Sequence, residues 1–142
     1  MPDDVVLNKI AAIERCLLRI REEYLGHEAE LTTNFTRQDS IVLNLLRACE
    51  AAIDVAMHLV RIRGLGLPQD SRDAFGLLLR ANLIPGELCP RLQAMVGFRN
   101  IAIHDYQKLN LDIIRAVLNE RLADFEAYCE FLLTQNDAGL ID

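Results

Sequence analysis

Apolar residues recur along this chain at spacings of three and four, the period of a helix that buries one face. The first run is Val6, Ile10, Ile13, Leu17, Ile20 and Tyr24, with Glu14, Arg15, Arg19, Glu22 and Glu23 on the other faces. Gly26 ends it, and the polar stretch 27–36 reads as a loop. A second helix is expected from Arg37 to Arg63, capped by Thr36 with Asp39 in its first turn, and Gly64, Gly66 and Pro68 follow its end. Its apolar face is Ile41, Leu45, Ala52, Ile53, Ala56, Leu59 and Val60. A shorter third helix spans Ser71 to Ala81 with Asp70 or Ser71 as cap, before a turn at Ile84-Pro85-Gly86. The fourth begins near Glu87 and carries Leu92, Met95, Val96 and Phe98. Asn110 is expected to cap a long fifth helix reaching Leu133, with Ile114, Leu118, Leu122, Phe125 and Cys129 inward. Residues 134–142 have no periodicity and read as a loose tail.

No stretch alternates as a strand would, and nothing repeats. The expectation is an all-α antiparallel helical bundle of four long helices and one short, forming a single domain over residues 1–142. A chain of this length can bury most of its apolar surface without staples. Four cysteines (Cys16, Cys49, Cys89, Cys129) are scattered, with no paired spacing and no histidine at ligand distance. Buried reduced thiols account for them better than zinc or a disulfide framework. The N-terminus is acidic and no apolar run approaches spanning length, so a cytoplasmic protein without a membrane partner is expected.

The net charge of −6 argues at first against a nucleic-acid partner, but its distribution softens the objection. Residues 61–99 carry six arginines against three acids, while the segments on either side are acidic. The local field decides where a phosphate chain docks. A polar stripe also runs along the second helix at Arg47, Glu50, Asp54 and His58. It is either a solvated face laced with ion pairs or the polar wall of a cleft.

The densest chemistry is at residues 99–106, Arg-Asn-Ile-Ala-Ile-His-Asp-Tyr. A guanidinium presents planar forked donors that match a phosphate and do not deprotonate. An imidazole takes or gives a proton near neutral pH. Together they can cleave a phosphodiester without a metal or any other cofactor. Arg99 would stabilise the charge gathering on phosphorus, His104 would act as general base or acid, and Asn100 would position the phosphate. Tyr106 could stack on a base, bond the phosphate or pack. The plainer alternatives are Arg99 paired with Glu50 or Asp54, His104 capping a helix end and Asn100 breaking it.

This spacing resembles the R-x4-H-x-Y signature of HepT-type toxins in the HEPN superfamily, carried by Arg99, Asn100, His104 and Tyr106. The likeness extends from about Val5 to Phe131 through Asn8-Lys9-Ile10, Gln38-Asp39-Ser40, residues 50–54, Ser71-Arg72-Asp73 and residues 109–112. It implies an RNA endonuclease toxin whose cleft is built by homodimerisation. It also implies a nucleotidyltransferase (MntA-type) antitoxin that transfers AMP to Tyr106. Relatives lacking the intact motif are non-catalytic nucleotide- or partner-binding subunits of nucleotidyltransferases; here the motif is complete.

Helix geometry reaches the dimer by a separate route. On an uninterrupted helix Arg99 and His104 point about 140° apart, so they converge only if the helix distorts or ends near His104, or if a second subunit contributes. An irregular segment is therefore expected at residues 103–109. Transesterification of RNA employs one base and one acid, and each chain offers one motif histidine.

Overall fold

The computed structural model describes residues 3–105 and 110–137, and they form six α-helices. These are α1 (Asp4–Tyr24), α2 (Phe35–Ile62), α3 (Ser71–Arg80), α4 (Leu88–His104), α5 (Leu111–Glu120) and α6 (Leu122–Asp137). A 3-10 turn at Glu28–Thr32 joins the first two. No strand occurs among the described residues.

The long pair α1 and α2 forms the frame against which the rest packs. Asp3 caps α1, its Oδ1 accepting from the backbone of Val5 at 2.9 Å and Val6 at 3.2 Å. Its other oxygen meets Nε2 of His58 near the far end of α2, at 2.7 Å. Burial alone would push the Asp3 carboxyl up. The His58 and backbone hydrogen bonds and the His58 charge outweigh that and hold it below its ordinary value. At its C-terminus α2 closes with Gly64 at φ +61°, which lets the Leu65 N–H reach the Val60 carbonyl at 3.0 Å. Asn82 does the same for α3 at φ +59°, with the Leu83 N–H on Leu78 at 2.9 Å.

The buried residues make one cluster, and every apolar position expected to face inward on α1, α2, α4, α5 and α6 is in it. At its centre Phe75 meets Tyr128 edge-on, ring centres 5.9 Å apart. The Tyr128 hydroxyl, fully buried, donates to the Ala52 carbonyl at 3.0 Å and ties α6 to α2. All four cysteines are free and buried, as expected.

Three boundaries differ from the sequence expectation. The segment 27–36 is not a plain loop: it holds the 3-10 turn, and α2 starts at Phe35. Asn34, rather than Thr36, is the cap, its Oδ1 accepting from the Arg37 N–H at 3.1 Å. The long fifth helix is two helices broken at Arg121, so the bundle has six α-helices instead of five. Apolar positions 114, 118, 122, 125 and 129 keep their three- and four-residue spacing across the break, which conceals it. Helix α6 also continues through Asp137, so the start of the expected loose tail is helical, and residues 138–142 lie outside the described residues.

Capping predicts a sharp contrast. Asn34→Ala should cost about 1 kcal/mol, whereas Thr36→Ala, an exposed first-turn change, should stay within about 0.5 kcal/mol of the parent. Urea unfolding of the two variants decides between them.

Candidate nuclease site

Helix α4 is rooted in the core by Leu88, Cys89, Leu92, Met95, Val96 and Phe98 and emerges toward its C-terminus. Arg99 and Asn100 follow this buried run and are half-buried, and His104, the last helical residue, is exposed. Asp105 closes the helix with φ −153° and ψ 67°, its N–H on the Ile101 carbonyl at 2.9 Å. The helix therefore ends where the sequence suggested, but it remains regular through His104. The rest of the expected irregular segment, Tyr106 included, falls at 106–109, outside the described residues. Asn110 then caps α5 as expected, accepting from the Asp112 N–H at 2.7 Å.

Arg99 reaches back from α4 to α2. Its Nε donates to Glu50 Oε1 at 2.7 Å and its Nη2 to Glu50 Oε2 at 3.3 Å, a bidentate pair. Its Nη1 donates to Asn100 Oδ1 at 2.8 Å. The plainer alternative for Arg99, an ion pair with Glu50, is thus present. Asn100 does not break the helix but binds its neighbour's guanidinium.

The polar stripe of α2 divides in two. Arg47, Glu50 and Asp54 line a groove of about 890 Å³ between α1 and α2. His58 lies outside it, engaged with Asp3 and 3.1 Å from Arg61 Nη2. Opposite, α1 contributes Lys9, Arg15 and Arg19. Lys9 holds Asp54 at 2.9 Å, so both groove carboxylates of the stripe face a cation. Sequence reasoning did not place the α1 cations in a site. The signal was available, since Lys9, Ala12, Cys16 and Arg19 share one helical face.

The thiols beside these groups are poor nucleophiles. Burial, reinforced by the Glu50 charge, pushes Cys49 up to about 12, although Arg99 pulls the other way. Cys16 is also raised by burial, against the opposing charges of Arg47 and Arg15. Among the described residues no three His, Cys, Asp or Glu side chains gather as metal ligands. At the end of α4 the described residues include the Arg99 guanidinium and the His104 imidazole.

Comparison with known proteins places this arrangement. A family model described as ribonuclease HepT-like matches residues 13–132. An mRNA nuclease HepT from Shewanella oneidensis is 50% identical over 130 residues, covering 92% of this chain and 97% of that protein. A solved structure of a tri-AMPylated Shewanella oneidensis HEPN toxin in complex with an MNT antitoxin superposes with a TM-score of 0.87 at 49% identity. It covers 93% of this chain and 98% of the other. A toxin–antitoxin structure with AMP-PNP gives a TM-score of 0.88 at 48% identity, covering 93% and 99%. With the family model spanning most of its length and a complete Arg99–His104 motif on α4, the chain belongs to the HepT-like ribonuclease family.

Proposed function

We propose that this protein is the ribonuclease toxin of a toxin–antitoxin pair, an RNA endonuclease that acts in the cytoplasm as a single HEPN-like domain. A nucleotidyltransferase antitoxin neutralises it by transferring AMP to Tyr106. The observation that carries the reading is 50% identity to an mRNA nuclease along 92% of the chain. The motif on α4 supplies the chemistry.

In the proposed reaction one His104 takes the proton of the RNA 2′-hydroxyl, and the oxygen attacks the adjacent phosphorus. The bond from phosphorus to the 5′-oxygen breaks as the His104 of a second copy protonates that oxygen. The products are a 2′,3′-cyclic phosphate and a 5′-hydroxyl. Arg99 stabilises the extra negative charge on phosphorus, with Asn100 beside it. Arg47, Glu50 and Asp54 form the polar wall of the adjoining groove. No step calls for a metal.

Homodimerisation is part of the proposal. Arg99 and His104 diverge by about 140° on a regular helix, so one chain does not close both on one phosphate. Ile103, 45% exposed and one helical turn beyond Arg99, offers apolar surface for a two-fold contact. Solution scattering at micromolar concentration should give twice the chain mass; a monomer there removes the shared cleft.

The proposed acid–base pair is tested on purified protein with RNA. Arg99→Ala and His104→Ala should each lose about a hundredfold or more in cleavage while keeping parental helicity. Parental cleavage should persist in EDTA and yield cyclic phosphate ends by mass spectrometry. Magnesium-restored cleavage with 3′-hydroxyl ends would overturn the mechanism.

Tyr106 separates regulation from chemistry. A phenol, with an ordinary pKa of about 10, is a poor base near neutrality, yet its oxygen attacks well once a partner enzyme deprotonates it. An adenylyl group there adds bulk and negative charge beside an RNA phosphate site. Tyr106→Phe should keep most ribonuclease activity and escape the antitoxin, and His104→Ala should do the reverse. Mass spectrometry after incubation with the nucleotidyltransferase and ATP should find AMP on the Tyr106 peptide. Modification found only elsewhere refutes this.

A further inference from the structure

We infer that Glu50 is a positioning residue for this reaction, fixing the Arg99 guanidinium so that its unengaged donors meet the scissile phosphate; the inference rests on the ribonuclease reading above. A guanidinium has five N–H donors. Glu50 takes the one on Nε and one on Nη2, and Asn100 takes one on Nη1. One N–H remains on each terminal nitrogen, and each can donate to a phosphate oxygen. The carboxylate therefore grips the side edge of the guanidinium while leaving donors on its far end. Carboxylate and phosphate can hold the same cation at once.

The mounting is rigid where it has to be. Glu50 sits near the middle of the 28-residue α2, between buried Cys49 and Ala51, and α2 packs directly on α4. The Arg99 side chain is 21% exposed, so it is mostly enclosed yet reaches solvent. A long flexible side chain at the emerging end of a helix otherwise samples many rotamers, and catalysis by a preorganised charge needs one. Glu50 is not placed to be the general base, because both its oxygens accept from Arg99. An obstructing Glu50, competing with RNA for the cation, would give the opposite sign on removal.

The test is a double-mutant cycle on the full-length protein, read in kcat and KM under single-turnover and steady-state conditions. Glu50→Ala should lower kcat about tenfold to a hundredfold while KM changes less than about threefold. Glu50→Gln, whose amide oxygen can still accept from Nε, should fall between. In an Arg99→Ala background, Glu50→Ala should add less than about twofold, since it acts only through Arg99. The Arg99 Nε–H resonance, slow to exchange in the parent, should be lost in Glu50→Ala, a readout independent of activity. Additive losses in the Arg99→Ala background, or a rise in kcat/KM on removing Glu50, overturn the inference. Full activity of Arg99→Ala would instead overturn the ribonuclease site itself. A normal Arg99→Ala loss with an unaffected Glu50→Ala enzyme would remove only the role of Glu50.

Discussion

One regular helix governs the chemistry available to this molecule. Because α4 keeps its pitch through His104, Arg99 and His104 are about 7.5 Å apart along its axis and face directions about 140° apart. Buried side chains before Arg99 hold the root of the helix in the core. The cation turns toward α2 and the imidazole toward solvent. A single chain thus presents the guanidinium and the imidazole on different faces, and in the proposed reaction a two-fold assembly brings the two kinds of group together.

Charge is arranged in the same economical way. The overall balance of −6 conceals a groove in which the carboxylates of Glu50 and Asp54 are each held by a cation from another helix. These pairs contribute little stability where they are exposed, about 0–1 kcal/mol. Their larger effect is directional, because they keep these acidic side chains from presenting bare negative charge to the groove. Arg15 and Arg47 place positive charge beside the Cys16 thiol and oppose the effect of its burial.

Most of this architecture could be read from spacing alone. The buried faces of α1, α2, α4 and the α5–α6 stretch follow from three- and four-residue periodicity, and the caps at Asp70 and Asn110 follow from residue chemistry. The motif was legible because three unusual side chains crowd into eight residues. The break at Arg121 was not, since no glycine or proline marks it and the apolar stripe runs through. Thr36 was a plausible cap by type, but Asn34 lies one residue ahead of the helix, where an acceptor can reach the N–H of Arg37. The Arg99–Glu50 pair was visible only as one of two options, because a 49-residue separation carries no local signal. The partner of His58 was not legible: its place in a regular stripe gave no hint that the chain start folds back onto it.

The gradient of burial along α4 explains how a stable fold can carry an open site. At the root, Arg91 meets the almost fully buried Asp124 of α6 at 3.4 Å, and five core side chains between residues 88 and 96 lock the helix in place. At the tip, Ile101, Ile103 and His104 are exposed. Large truncations at the root should therefore disrupt folding, whereas changes at the tip touch little of the core. A helix anchored at one end and largely open at the other transmits the rigidity of the core to Arg99 without enclosing the proposed RNA site. That arrangement also suits the proposed control of activity at the tip. Added bulk and charge there can obstruct the substrate while leaving the packing that maintains the protein intact.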